Sequence, residues 1–130
     1  YTSGKYIFKE FTDNDKDYKG NKIPGIPNNT LTVSLEHKTK NKLFFNLNFK
    51  NIGSMFADNS NLVNVSKFNT LNLKIGKEFN LFKSTVYPFL ILNNIFEQEY
   101  FDNIRINAFG GRYYEPAPKR TIFGGIRVSL

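Results

Sequence analysis

The chain has 130 residues, enough for one domain with a core of adequate size. It has no cysteine, which excludes a disulfide framework or a thiolate metal site, and no apolar run of about eighteen residues, which excludes a membrane-crossing helix but not barrel strands. Its net charge of +7 comes with an abundance of Asn, Lys, Ile and Phe that an AT-rich genome would equally produce, so charge alone identifies no anionic partner.

The chain opens in Tyr1–Phe11, which reads as the inside of a strand without an initiator Met or a leader. A longer protein is therefore expected, and the lack of a targeting signal here says nothing about compartment. Thr12 to Asn28 reads as a polar loop rich in Asp, Asn, Gly and Pro, which is turn chemistry. A Ca²⁺ loop built on Asp13, Asp15 and Asp17 fails, because no Glu follows at the required position and Lys16 intrudes. From Asn29 the polarity alternates with period two. Leu31, Val33, Leu35 and His37 share one face against Thr30, Thr32, Ser34 and Glu36. After the turn Lys38–Lys42, Leu43, Phe45, Leu47 and Phe49 oppose Asn46, Asn48 and Lys50. A loop spans Gly53–Lys67, and then Leu71, Leu73 and Ile75 oppose Asn72, Lys74 and Gly76.

The turn Asn80–Lys83 leads into Thr85–Phe96, which is apolar on both parities and so requires something against each face. Pro116 and Pro118 lack the N–H that a sheet needs, and Gly110-Gly111 marks a turn, so Glu97–Lys119 is loop. The end alternates again, with Ile122, Gly124, Ile126, Val128 and Leu130 against Phe123, Gly125, Arg127 and Ser129. The spacing predicts six antiparallel strands over Tyr1–Phe11, Asn29–His37, Lys42–Gly53, Phe68–Phe79, Thr85–Phe96 and Arg120–Leu130. Ten residues rising roughly 3.3 Å each and tilted by about 45° cover close to the ~25 Å apolar band of an outer membrane.

Three stretches carry a family likeness: Gly20-Asn21-Lys22-Ile23-Pro24-Gly25-Ile26-Pro27; Asn93-Asn94-Ile95-Phe96-Glu97-Gln98-Glu99-Tyr100; and Gly111-Arg112-Tyr113-Tyr114-Glu115-Pro116-Ala117-Pro118-Lys119-Arg120 before the last strand. In this order and spacing they resemble the carboxyl end of TonB-dependent outer-membrane receptors. The resemblance covers essentially the whole chain. It departs in Leu130, where the family usually ends in an aromatic, and in Lys119, where Gly is common.

The resemblance implies an all-β fold, an antiparallel up-and-down transmembrane β-barrel segment of about six strands that is partial and open. It implies residence in the bacterial outer membrane, with lipid around the barrel. The function implied is energised uptake of an iron-siderophore or similar chelate, coupled to the TonB system through an amino-terminal part not in this sequence. It also implies that the barrel-assembly machinery reads the last strand at Gly125, Val128 and Leu130.

Few residues suggest chemistry of their own. His37 is the one histidine, no His/acid cluster has metal spacing, and no Gly loop precedes a helix, so neither enzyme activity, nor a metal, nor a cofactor is expected. Arg105, Arg112, Tyr113 and Tyr114 are the candidate ligand-binding residues, with Lys119 and Arg120 nearby. Arg pairs bidentately with carboxylate or phosphate, and Tyr offers a flat face with a polar tip. The plain alternative is that Arg112 and Tyr114 hold only the loop's own fold. A soluble lipid- or small-ligand-binding β-barrel would alternate in the same way. No nucleic acid is expected as partner, because the strand aromatics lie with the Leu residues and Lys50 and Lys74 lie opposite.

Overall fold

In the computed structural model, which describes residues 1–130, alternation becomes strand almost wherever it is regular. Three short strands come first, β1 (Thr2–Ser3), β2 (Thr12–Asp13) and β3 (Lys16–Asp17). The long strands β4 (Asn29–Lys38) and β5 (Leu43–Ile52) follow, then the short β6 (Met55–Phe56) and β7 (Asn64–Val65). Next are β8 (Phe68–Lys77), β9 (Phe79–Leu81) and β10 (Ser84–Asn93), and the chain ends through β11 (Phe101–Ile104), β12 (Tyr114–Pro116) and β13 (Thr121–Ser129). The main sheet runs β1-β4-β5-β8-β10-β13, with β9 also on β10, and does not close. The pairs β2-β3, β6-β7 and β11-β12 form separate hairpins.

The chain divides into two compact units. A loop unit comprises Tyr1–Leu31, Asn51–Phe68 and Glu99–Ala117; a strand unit comprises Thr32–Lys50, Asn69–Gln98 and Pro118–Leu130. The loop unit holds eight Lys and Arg against eight Asp and Glu. The strand unit holds ten against three and therefore carries the entire +7.

Register in the strand unit gathers a continuous row of aliphatic residues on one face. Leu92 lies opposite both Leu73 and Ile122, Leu90 opposite Ile75 and Gly124, and Val86 opposite Val128. The antiparallel match of β4 to β5 follows from Glu36 with Asn46, and from Ser34 with Asn48 at 2.7 Å. His37 lies against Phe45 at the end of this pair, ring centroids 5.5 Å apart, as its parity predicts.

The predicted loop Glu97–Lys119 holds a paired hairpin, β11-β12, with Pro116 at the strand end where its missing N–H is tolerated. Two predicted strands differ as well. Tyr1–Phe11 is not a sheet strand beyond Thr2–Ser3, which pairs with Asn29–Thr30. Instead Tyr6 to Phe11 folds back on Tyr18 to Ile23: Phe8 N–H donates to Asn21 at 2.9 Å, Ile23 N–H to Tyr6 at 3.0 Å, and Ile7 bridges Lys22. Aromatics on both parities left no clean face to bury in a sheet, and locally Phe8 stacks on Phe11 at 4.7 Å with Tyr18 tilted against Phe11 at 5.9 Å. Phe68–Phe79 is likewise interrupted at Glu78, where β8 stops before β9 begins. The cause lies across the ladder, since Pro88 of β10 has no N–H to donate there.

The loop unit is more ordered than its polar composition suggests. Asn61 Oδ1 accepts the N–H of Lys22 at 2.7 Å, and its Nδ2 returns a bond to the Lys22 carbonyl at 2.9 Å. Gly25 N–H donates to Phe56 at 2.8 Å, Asn28 N–H to Ser54 at 3.0 Å, and Asn107 N–H to Ala57 at 2.9 Å. Asn107 Oδ1 accepts from Asn59 N–H at 2.9 Å. Three loop segments are thus laced together by backbone and Asn amides, which have both donor and acceptor to offer. Ala57 and Val65 are buried in this unit, as is Pro24.

Candidate functional site

The four expected ligand-binding side chains sit on one hairpin of the loop unit. β11 pairs with β12, Ile104 opposite Tyr114 and Asn103 opposite Glu115. A 3-10 turn at Phe109–Gly111 makes the apex, where Gly110 and Gly111 take φ of 69° and 73°, left-handed backbone that costs glycine little. Phe109 at this apex is 99% exposed.

The cluster divides by what already holds each member. Arg105 is committed to Glu115, with Nε at 2.6 Å and a terminal nitrogen at 2.5 Å from Oε1, while Asn103 Nδ2 donates to Oε2 at 3.0 Å. Bonds from Asn103 and then Arg105 hold the Glu115 carboxyl below the usual carboxylate range. Tyr114 stacks on Phe101 at 4.3 Å, with Tyr113 tilted beside it at 6.1 Å. Arg112 is exposed at the apex and takes part in none of these bonds. Arg120 and Lys119, close in sequence, fall in the strand unit, where Arg120 pairs with Glu97 at 3.3 Å and donates from Nε to the Ile95 carbonyl at 3.2 Å. Opposite charges on the two arms of a Gly-Gly hairpin, Arg105 and Glu115, were the available signal that one arginine would be used internally.

A cleft of about 320 Å³ in the same unit is lined by Met55, Phe68, Phe101, Ile104 and Ile106, with Asp102 and Asn103. None of the four candidates lines it. In the loop between β6 and β7, Asp58 is 8% exposed and organises its own turn. Its carboxylate accepts from Ser60, from Val63 N–H at 2.8 Å and from Leu62 N–H at 3.4 Å. Burial pushes its pKa up, but these bonds together outweigh burial and hold it below the ordinary value.

The strand unit contains a feature that parity alone concealed. Lys74 lies 5.9 Å from the Phe44 ring and 5.4 Å from Phe89, and Arg127 lies 4.9 Å from Tyr87. Phe44 stacks on Tyr87 at 4.8 Å, and Phe89 tilts against Phe123 at 6.1 Å. These aromatics share the face of Lys74 and not that of the Leu residues, so the expected separation of strand aromatics from lysine is corrected. Phe45 and Phe49 share the parity of Leu43 and Leu47, whereas Phe44 has the opposite parity. Glycines make room for the rings: a Cβ on Gly125 would come 2.6 Å from Phe89, and one on Gly76 2.4 Å from Phe44.

Val128, by contrast, is on the apolar face, 57% exposed, and Leu130 extends past β13 fully exposed.

No family model matches the chain. Solved structures similar to it include these two. One is the ferric citrate transporter FecA in its unliganded form, at a TM-score of 0.71 and 24% identity over 86% of this chain. The other is the ferric yersiniabactin uptake receptor FyuA from Yersinia pestis, at 0.61 and 21% over 92%. The chain spans 18% of the length of each. The likeness is one of fold: an all-β, antiparallel, unclosed sheet that matches a partial barrel segment of TonB-dependent receptors.

Proposed function

We propose that this chain is the carboxyl-terminal segment of the barrel of a TonB-dependent receptor in a bacterial outer membrane, taking up an iron chelate. The observation that carries this is the apolar face of the sheet. Ile126 is 71% exposed, Ile122 66% and Leu35 53%, while buried apolar residues are nearly absent. A soluble domain of this length would bury such a face. A hydrocarbon surround accounts for it, with the cation- and aromatic-bearing face directed to the barrel interior. The rival soluble lipid-binding barrel would need the sheet to close within the chain, and it stays open.

On this reading energy arrives through the TonB system by way of an amino-terminal part, and the last strand, with Gly125, Val128 and Leu130, is what the barrel-assembly machinery engages. Fractionation of the intact protein tests the location: it is expected with the outer membrane, migrating differently before and after heating. A soluble monomer overturns the reading.

Within the candidate cluster, Arg112 is the arginine left for a chelate, with Tyr113 beside it, while Arg105 and Tyr114 hold the hairpin. Replacing Arg112 with Ala removes a charge-assisted contact worth about 1.5–3 kcal/mol and should weaken uptake about ten- to a hundredfold. Arg112→Lys should recover part of it. Iron-limited growth at matched surface expression is the measure; less assembled barrel with unchanged uptake per barrel would make Arg112 structural.

A further inference from the structure

The short-turn end of the strand unit combines charge with exposed aromatics. The turn between β4 and β5 and the β9 turn are tied to each other: Glu78 N–H donates to the Lys42 carbonyl at 3.1 Å, and Lys42 Nζ donates to Asn80 Oδ1 at 3.2 Å. Lys38 at 3.1 Å and Lys42 at 2.8 Å share the one carboxylate, Glu78. Lys40, Lys77 and Lys83 are exposed and have no acidic partner. Five lysines against one acid leave this end at +4.

The aromatic part lies on the apolar face. Phe79 is paired opposite Val86, which is opposite Val128, so it extends the same apolar row to the rim. Phe79 is 42% exposed, and Phe82, at φ 53°, is fully exposed on the turn. By strand alternation Lys77 shares the face of Leu73 and Ile75, and its Nζ lies over the Phe79 ring at 5.1 Å. A lysine on an apolar face, with its stem along a ring at the rim, is the arrangement by which an ammonium reaches headgroup phosphates while its methylenes stay in the apolar layer.

We propose that this rim is a binding surface for anionic phospholipid headgroups, with Lys77 and Lys83 as phosphate contacts and Phe79 and Phe82 seated at the acyl boundary. The proposal rests on the membrane-barrel reading above. Charge complementarity selects the occupant: unpaired lysines flanking an apolar face suit a phosphodiester surface with acyl chains beneath it. A nucleic acid would leave Phe79, Phe82 and the apolar row uncovered.

The test uses the intact receptor carrying this chain, reconstituted in phosphatidylcholine bilayers with a trace of spin-labelled lipid. The motionally restricted fraction is compared for labelled phosphatidylglycerol and labelled phosphatidylcholine. The expected result is several-fold selectivity for phosphatidylglycerol, since each lysine near an anionic surface contributes about fivefold at most. The selectivity should fall to near parity in the Lys77→Gln/Lys83→Gln protein and persist in Lys16→Gln/Lys19→Gln, which alters the β2–β3 segment. It should also fall in the unaltered protein at about 0.5 M salt, a measurement that needs no variant to fold.

Equal restriction of both lipids, or selectivity insensitive to salt and to the double substitution, overturns the proposal and leaves the barrel reading standing. Selectivity for labelled lipopolysaccharide in place of phosphatidylglycerol also overturns it. A protein that restricts neither lipid overturns the barrel reading and this proposal with it.

Discussion

Gly125 and Asp58 show how much single residues decide here. Gly125 faces the Phe89 ring, and Val at this position would need space the ring occupies. The ring can swing away, but it then leaves the company of Lys74 and Phe123. Gly125→Val should therefore cost about 1–3 kcal/mol, read as thermal unfolding of the reconstituted barrel. Truncating Phe89 to Ala first should largely abolish that cost, and an undiminished cost would place the strain elsewhere. Asp58 has a folded pKa below its unfolded value near 3.9. Its contribution is thus fully present above that value and lost as pH falls through the folded pKa. Exchange at the Val63 amide, corrected for its intrinsic rate, should lose protection below about pH 4 and be constant from pH 5 to 7. Neither residue announced its role in the sequence. Gly125 was legible as part of an alternating strand, but the ring across from it comes from β10 and depends on register.

At the scale of elements, the long strands were legible because polar and apolar residues alternate without exception from Leu31 to Glu36 and from Leu71 to Gly76. The break at Glu78 was not, because its cause, Pro88, lies on another strand. Nor was the fold-back of Tyr6–Phe11, whose partner Tyr18–Ile23 looked like loose loop. The Asn-Asn-Ile-Phe-Glu stretch and the Pro-Ala-Pro-Lys-Arg stretch were recognised as motifs, and the structure supplies their physics. Asn94, 3% exposed at φ 49°, ends β10 and donates from Nδ2 to the carbonyls of Gln98 at 2.9 Å and Pro118 at 3.4 Å. Its own N–H goes to Asn72 Oδ1 at 2.8 Å, and the Glu97–Arg120 pair closes the same junction. Asn94→Ala loses buried hydrogen bonds and exchanges a side chain suited to left-handed backbone for one that is not, about 2–4 kcal/mol together. Glu97→Gln breaks only an exposed ion pair, worth at most about 1 kcal/mol. Melting temperatures of the two reconstituted variants should rank in that order, and the reverse ranking would assign the junction to the ion pair.

Over the whole molecule, charge and apolarity are distributed by face and by unit, which composition averages away. The sum of +7 was visible from the start, but its confinement to the strand unit depends on which residues the fold gathers. The two faces of β13 give the sharpest check. Val128→Asp sets a charge on the apolar face, in the row that reaches the rim, and should cost up to about 1 kcal/mol. Ser129→Asp, on the opposite face, should be tolerated, with the yield of folded barrel as the measure. Equal losses would mean the faces are assigned wrongly.

The junction at Asn94 has a further consequence, for the order in which the chain assembles. β10 and β13 pair over nine residues, yet Asn94 to Arg120 intervenes, and closing so long a connection from an open coil costs about 3 kcal/mol in chain entropy. Once Asn94 holds Pro118 and Glu97 holds Arg120, Asn93 and Thr121 are already neighbours, and the last strand can zip from that end like a short hairpin. Weakening the junction should therefore slow refolding into bilayers rather than merely hasten unfolding, the kinetic signature of a contact made before the strand it delivers.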